Sequence, residues 1–316
     1  MEHRNIGPLS VSTVGLGCNN FGRKLSAEDS AAVVDAAIEV GINLFDTADI
    51  YGYGDHPYSG TGHSEEFLGQ ALGTRRSDVI IATKFGISMS KTDKTMRGGG
   101  RAWVQRACED SLRRLRTDYI DLYQIHRPDR DSHISETLGA LNELVDQGKV
   151  RVIGCSNFSA EQLEEAEAVS EDLGTARFVS VQNEYSLLSR EVEESVLPAC
   201  ERLDIAFIPY FPLASGLLTG KYRKGQAAPD GSRLAFWEPR PHQTLDDDVL
   251  DRVEKLTETA ERFGHTLLEL AISGLLARPP VASIVAGATS PSQVRDNVAA
   301  AAWTLSPEEI RVLDSV

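Results

Sequence analysis

Cysteine is scarce in this chain: four in 316 residues, at Cys18, Cys108, Cys155 and Cys200. None stands in a C-x-x-C pair, so no disulfide framework is expected, only the reduced thiols of a cytoplasmic protein. No apolar run approaches the ~20 residues of a membrane span. The opening residues Met1-Glu2-His3-Arg4-Asn5 carry no apolar core of a secretory signal, which again leads us to expect a cytoplasmic chain away from membranes. Positive charge is also short. Thirty-two Lys and Arg against 47 Asp and Glu leave a net charge of -15. That balance argues against nucleic acid or an anionic membrane as partner, and leaves room for a small anion in a local basic pocket. The seven histidines are scattered, without H-E-x-x-H or a comparable ligand pair, so no metal centre is expected. A dinucleotide fingerprint is missing too. Gly15-Leu16-Gly17-Cys18-Asn19-Asn20 has Asn at the third glycine of G-x-G-x-x-G, and no helix opens there.

What the sequence does have is alternation. Strand-like runs stand at 12–16, 43–45, 79–83, 122–125, 150–155, 178–181, 206–209 and 283–286, several of them nearly continuous Val, Ile, Leu or Phe. Such runs suit parallel strands covered on both faces. Amphipathic stretches lie between them. Ser26 can cap a helix whose first turn holds Glu28 and Asp29, with Val33, Val34, Ala37 and Ile38 on one face and Gly41 at its end. Further helices are expected at 102–115, 134–147, 160–169, 191–203 and 248–263. Strand and helix repeated eight times predict an α/β fold, a single-domain (β/α)8 TIM barrel over 1–316, in preference to a doubly wound open sheet. A chain of this length can bury roughly 75% of its unfolded surface, so one core suffices. The interval 213–281 is long, and its part 219–243 is rich in Gly, Pro and charge. It is expected to form a loop over the C-terminal mouth of the barrel.

Barrels carry their chemistry at the C-terminal ends of their strands. The second run leads into Asp46 and Tyr51, the third into Lys84, the fourth into His126. Taken singly, each has an ordinary structural explanation: a capping Asp, a packed Tyr, a solvated Lys. Converging on adjacent strand ends, they make a group that can move a proton. Tyrosine has a reference pKa near ~10, and a neighbouring ammonium draws it down. Asp46 would hold Lys84 charged and oriented, and His126 can hydrogen-bond a carbonyl oxygen. Tyr53 and Tyr58 lie close by in sequence, and a Schiff-base role for Lys84 is open on these residues alone, although Asp46 would oppose the lowered amine pKa that it needs.

Two longer patterns decide among these. Asp46-Thr47-Ala48-Asp49-Ile50-Tyr51-Gly52, followed by Gly62-His63-Ser64-Glu65-Glu66-Phe67-Leu68-Gly69, resembles the first signature of the aldo-keto reductase superfamily. Ser111-Leu112-Arg113-Arg114-Leu115 with Asp118-Tyr119-Ile120-Asp121-Leu122 resembles its second, and the likeness runs nearly end to end, towards the bacterial-type and potassium-channel β-subunit-like branches. The resemblance implies an NADPH-dependent oxidoreductase that reduces an aldehyde or ketone, with Asp46, Tyr51, Lys84 and His126 as catalytic tetrad and Tyr51 as general acid. It implies a nicotinamide site at Ser156, Asn157, Gln182 and Tyr210, with Gly17 and Asp46 beside it. It implies a pyrophosphate segment through Phe211, Pro212, Leu213, Ser215, Gly216, Leu217 and Lys221, with Arg233 in the long loop. The adenosine end would fall on Gly287, Thr289, Gln293, Asp296 and Asn297, where a Pro-initiated helix presents free N–H groups. Gln293 stands where some branches carry an Arg for the 2′-phosphate of NADP, so that charge is expected from Lys221, Arg233 or Arg295. The channel-subunit branch implies an alternative, an NADP(H)-binding regulatory subunit with weak turnover.

Overall fold

A computed structural model describes residues 1–52, 62–222, 224–229, 232, 234 and 244–316. The eight expected runs become the parallel strands β3 (Val14–Gly17), β4 (Leu44–Asp46), β5 (Ile80–Phe85), β6 (Ile120–Ile125), β7 (Val150–Ser156), β8 (Phe178–Glu184), β9 (Ala206–Tyr210) and β10 (Ile284–Gly287). They pair in the order β10-β3-β4-β5-β6-β7-β8-β9. Phe207 closes the circle, its N–H donating to Pro280 O at 2.7 Å and its O accepting from Ala282 N at 3.0 Å. The expected barrel is therefore the fold. Several strands run one to three residues past their apolar stretch, ending on Asp46, Lys84-Phe85, Ser156 and Gln182-Asn183-Glu184. Ladder pairing continues there although hydrophobicity stops, and those polar ends form the rim.

The strand expected at 12–16 divides. β1 (His3–Ile6) and β2 (Leu9–Ser12) form an antiparallel hairpin across the N-terminal end of the barrel, turning at Gly7 with φ 53°. Ile6, Leu9 and Val11 pack there against Leu44, Leu122, Ile208 and Ala282 from the barrel interior. This plug makes the opposite end the open one.

Around the barrel run α1 (Ala27–Glu39), α2 (His63–Leu72), α3 (Arg101–Leu115), α4 (Ile134–Asp146), α5 (Ala160–Leu173), α6 (Val196–Leu203), α7 (Asp247–Arg262), α8 (Leu267–Leu276), α9 (Pro291–Ala299) and α10 (Pro307–Asp314). Ser26 caps α1 as expected, accepting from Asp29 N, and Gly41 takes φ 87° just beyond its end. The helix expected at 191–203 is shorter. A 3-10 turn covers Glu191–Glu193, and α6 starts at Val196. Pro198 explains the break: lacking an N–H, it fits only the first turn of a helix. α2 crosses α3 at Gly69, where a Cβ would meet Leu115 O at 2.5 Å. Among the described residues no helix is long and apolar enough to cross a membrane. All four cysteines are buried and unpaired.

Candidate active site at the open end of the barrel

The centre of the rim is a buried ion pair. Lys84, on β5, has no exposed surface, and its ammonium donates to Asp46 Oδ1 at 2.8 Å, to Asp46 Oδ2 at 2.7 Å and to Thr47 O at 2.8 Å. Gln182, on β8, donates from Nε2 to Asp46 Oδ1 at 2.9 Å. Burial disfavours the ammonium, but Asp46 and Tyr51 outweigh it and raise the Lys84 pKa above its ordinary value. Lys84 is thus a fixed cation with every donor directed.

Tyr51 lies over that cation, its ring centre 5.1 Å from Lys84 Nζ. Burial lifts the Tyr51 phenol above its ordinary pKa, Lys84 pulls it back and Asp46 adds to the rise. The expected lowering by Lys84 is therefore present and is outweighed by burial. At neutral pH Tyr51 is a protonated phenol, the form a proton donor needs. His126 packs edge-on against it, ring centres 5.8 Å apart and planes at 83°. Burial, then Lys84, then Arg127 depress the His126 pKa well below its usual value, so this imidazole is neutral. Its Nδ1 is buried and makes no hydrogen bond.

On the opposite wall Ser156, Asn157 and Gln182 form one network. Ser156 Oγ donates to Gln182 O at 2.6 Å, and Asn157 Nδ2 donates to His126 O at 2.9 Å and to Ser156 Oγ at 3.0 Å. Tyr210 at the end of β9 donates its hydroxyl to Asn157 Oδ1 at 2.7 Å. Asn157 sits in left-handed backbone at φ 63°, as do Phe211 at 52°, Ala214 at 44° and Ser215 at 58°. Each such residue costs on the order of 1–3 kcal/mol, a strain that concentrates at functional sites.

These walls enclose a cavity of about 730 Å³. It takes in Gly17, Asp46, Tyr51, His126, Ser156, Asn157, Gln182, Tyr210, Phe211, Pro212, Leu213, Ser215, Gly216 and Lys221, then Gly287, Thr289, Gln293, Asp296 and Asn297. Lys84 lies beneath its floor. The side chain of Leu217 is fully buried in the hydrophobic core and is not part of the cavity wall. Arg295 pairs with Glu39 at 2.8 Å on the outer surface and is not part of the cavity wall. Arg233, Tyr53 and Tyr58 lie outside the described residues. Gln293 accepts from Thr289 N at 2.8 Å, holding the turn after β10. Sequence reasoning missed Asn19, Asn20, Arg23, Lys24, Ile50, Ile87, Arg127, Thr219, Ser232 and Leu268, which also line the cavity. The first four follow β3, and the rule of reading each strand end would have found them.

The residues present fit a nicotinamide dinucleotide. Ser156, Asn157 and Gln182 supply donors and acceptors suited to a carboxamide. Gly216, at φ 97°, leaves open a surface where a Cβ would sit 3.0 Å from Lys221 Nζ. Ser290 caps α9, with Pro291 in its first turn, so the helix N-terminus lies at the Gly287–Thr289 wall.

Comparison with known proteins agrees with this geometry. Residues 13–316 match the aldo/keto reductase family. The chain is 36% identical to a probable voltage-gated potassium channel subunit beta of Arabidopsis thaliana, covering 95% of this chain and 91% of that protein. It is 34% identical to the aldo-keto reductase YhdN of Bacillus subtilis (strain 168), over 100% of this chain and 93% of that protein. It is 34% identical to the uncharacterized oxidoreductase YrpG of the same organism, over 100% and 96%. A barrel with this rim, matched by the family along almost its whole length, belongs to the aldo/keto reductase family.

Proposed function

We propose that the chain is an NADPH-dependent carbonyl reductase that converts an aldehyde or ketone to an alcohol, with Tyr51 as proton donor. Family membership supports nicotinamide-dependent oxidoreductase chemistry. The observation that carries the finer reading is the shared cavity. Tyr51 and His126 face the same space as the Ser156–Asn157–Gln182 network, directly above the Lys84–Asp46 pair. When bound, the reduced nicotinamide supplies the hydride for the carbonyl carbon. The chain does the rest. Neutral His126 orients the carbonyl oxygen by a hydrogen bond, and Tyr51 gives its phenolic proton to that oxygen as negative charge develops. The Lys84 ammonium stabilises the phenolate left behind until solvent returns the proton. Asp46 holds Lys84 charged and is itself fixed by Gln182. Lys221 is our choice for the charge that favours NADPH over NADH, because it lines the cavity beside Gly216. Four buried free thiols suit a reducing compartment, and we place the activity in the cytoplasm.

The Arabidopsis relative favours a second reading, an NADP(H)-binding regulatory subunit with weak turnover. Turnover separates the two. The purified chain should oxidise NADPH with an aldehyde panel, and Tyr51→Phe should lose at least 100-fold in kcat while NADPH affinity changes little. Lys221→Ala should weaken NADPH about tenfold and NADH less. Tyr51→Phe with near wild-type kcat would remove Tyr51 from the proton transfer. A chain that binds NADPH and reduces none of the panel would favour the subunit.

A further inference from the structure

Arg127 follows His126 directly and lines the same cavity as Tyr51. The two are consecutive in the chain and line one cavity, so a carbonyl at His126 and an anion at Arg127 can belong to one small molecule. Its side chain is exposed, and among the described residues it makes no ion pair or hydrogen bond. The acidic residue nearest in sequence is committed elsewhere: Asp129 accepts from Gly99 N at 2.7 Å and from Asp131 N at 3.1 Å. Asp131 in turn pairs with Arg97 at 2.9 Å. The other basic residues on the cavity wall, Arg23, Lys24 and Lys221, each already have an interaction within the chain. In a protein of net charge -15, a guanidinium on the cavity wall with no carboxylate partner among the described residues is a local basic site open to an anion. Its field reaches the site, since Arg127 is one of the charges that keep His126 neutral. Ile50 and Ile87 add apolar wall to the same cavity.

We infer that Arg127 selects carbonyl substrates bearing an anionic group, a carboxylate or a phosphate, a few bonds from the reacting carbon. The guanidinium fork matches either anion bidentately. This rests on the reductase reading above. Arg127 is a specificity-determining residue in it and takes no part in the proton transfer.

The test uses the full chain with NADPH and three aldehydes of matched length: a neutral one, its terminal carboxylate and its terminal phosphate ester. Wild type should show higher kcat/KM for at least one anionic substrate than for the neutral one, and the preferred anion identifies the group. That preference should shrink as salt is raised. In Arg127→Gln the ratio of anionic to neutral kcat/KM should fall about 10- to 100-fold, mainly through KM. Arg127→Lys should recover part of it. No anionic preference in wild type, or a ratio unchanged in Arg127→Gln, would overturn this inference and leave the reductase reading standing. Failure to reduce any of the three would overturn both.

Discussion

Replacing Lys84 by Met tests the buried pair beneath the cavity independently of catalysis. The substitution removes the ammonium that bonds Asp46 Oδ1, Asp46 Oδ2 and Thr47 O. Asp46 is 3% exposed, so its carboxylate would keep one donor, Gln182 Nε2, and gain almost no water. Removing one partner of such a pair costs about 3–5 kcal/mol, because the charge left behind is uncompensated. Since that penalty belongs to the stranded charge, Lys84→Met/Asp46→Asn should regain at least half of it: Asn stays neutral and still accepts from Gln182. Urea unfolding at pH 7 measures both. The pH dependence has a definite sign. The folded pKa of Lys84 is raised above 10.5, so its contribution is fully present below that value and is lost as pH rises through the folded pKa. The gap between wild type and Lys84→Met should therefore be flat from pH 6 to about 10 and close above it. A single variant within 1 kcal/mol of wild type, or a double variant no more stable than the single, would refute the argument.

Gly69→Ala should destabilise the chain by about 2 kcal/mol or more, because its Cβ would meet Leu115 O at 2.5 Å and the carbonyl cannot swing aside as a side chain can. Thermal unfolding checks this, and an unchanged midpoint would mean that α2 shifts without cost. For His126→Gln the prediction is a pH profile. The folded pKa of His126 lies well below 6.5, so its contribution is full above 6.5 and is lost as pH falls below it, by up to about 1.4 kcal/mol per pH unit. Wild type should lose stability relative to the non-titrating variant over that acidic range, and parallel urea midpoints from pH 7 to 5 would count against a buried neutral imidazole.

The barrel was legible because its strands carry the apolar runs that two-sided cover demands. What the pattern hid is where hydrophobicity and hydrogen bonding part company. β8 continues through Gln182, Asn183 and Glu184, and β5 through Lys84, because the ladder persists where side chains turn polar to line the rim. The N-terminal hairpin was hidden for a different reason: its two strands are four residues each, His3–Ile6 and Leu9–Ser12 around Gly7-Pro8, too short to show an apolar run. α8 is buried all round, so it gave no amphipathic stripe. At the site, the structure brings together the residues the resemblance named: Asp46, Tyr51 and His126 line one cavity with Ser156, Asn157 and Gln182, and Lys84 is bonded to Asp46. Leu217 points its side chain into the core while its neighbours Gly216 and Ser215 line the cavity, which a linear segment cannot show. Nor could the sequence show that Arg295 pairs with Glu39, distant in the chain, on the outer surface.

The two halves of the first signature find their physical connection in α2. Thr47 Oγ1 and Ser64 Oγ lie 2.8 Å apart, and Ser64 Oγ reaches Cys18 O at 2.7 Å. Ser64 N donates to Tyr51 O at 3.4 Å. One residue on, Glu65 is completely buried, accepting from Thr83 Oγ1 at 2.5 Å and from Arg114 Nε at 2.7 Å, which ties α2 to β5 and α3. Between Asp46 and Tyr51 the chain is also pinned to β5: Thr47 N donates to Ala82 O at 2.9 Å, and Asp49 N to Lys84 O at 3.0 Å. The Asp49 side chain turns away from the cavity, and burial, reinforced by Glu65, holds its carboxyl well above the usual range. That shift favours the neutral acid beside Glu65, which Arg114 pairs at 2.7 Å. Tyr51 is thus positioned through two separate anchors, Lys84 in front of the sheet and the Ser64–Glu65 start of α2 behind it. That double constraint is why the second half of the signature, which contributes no side chain to the tetrad, belongs with the first.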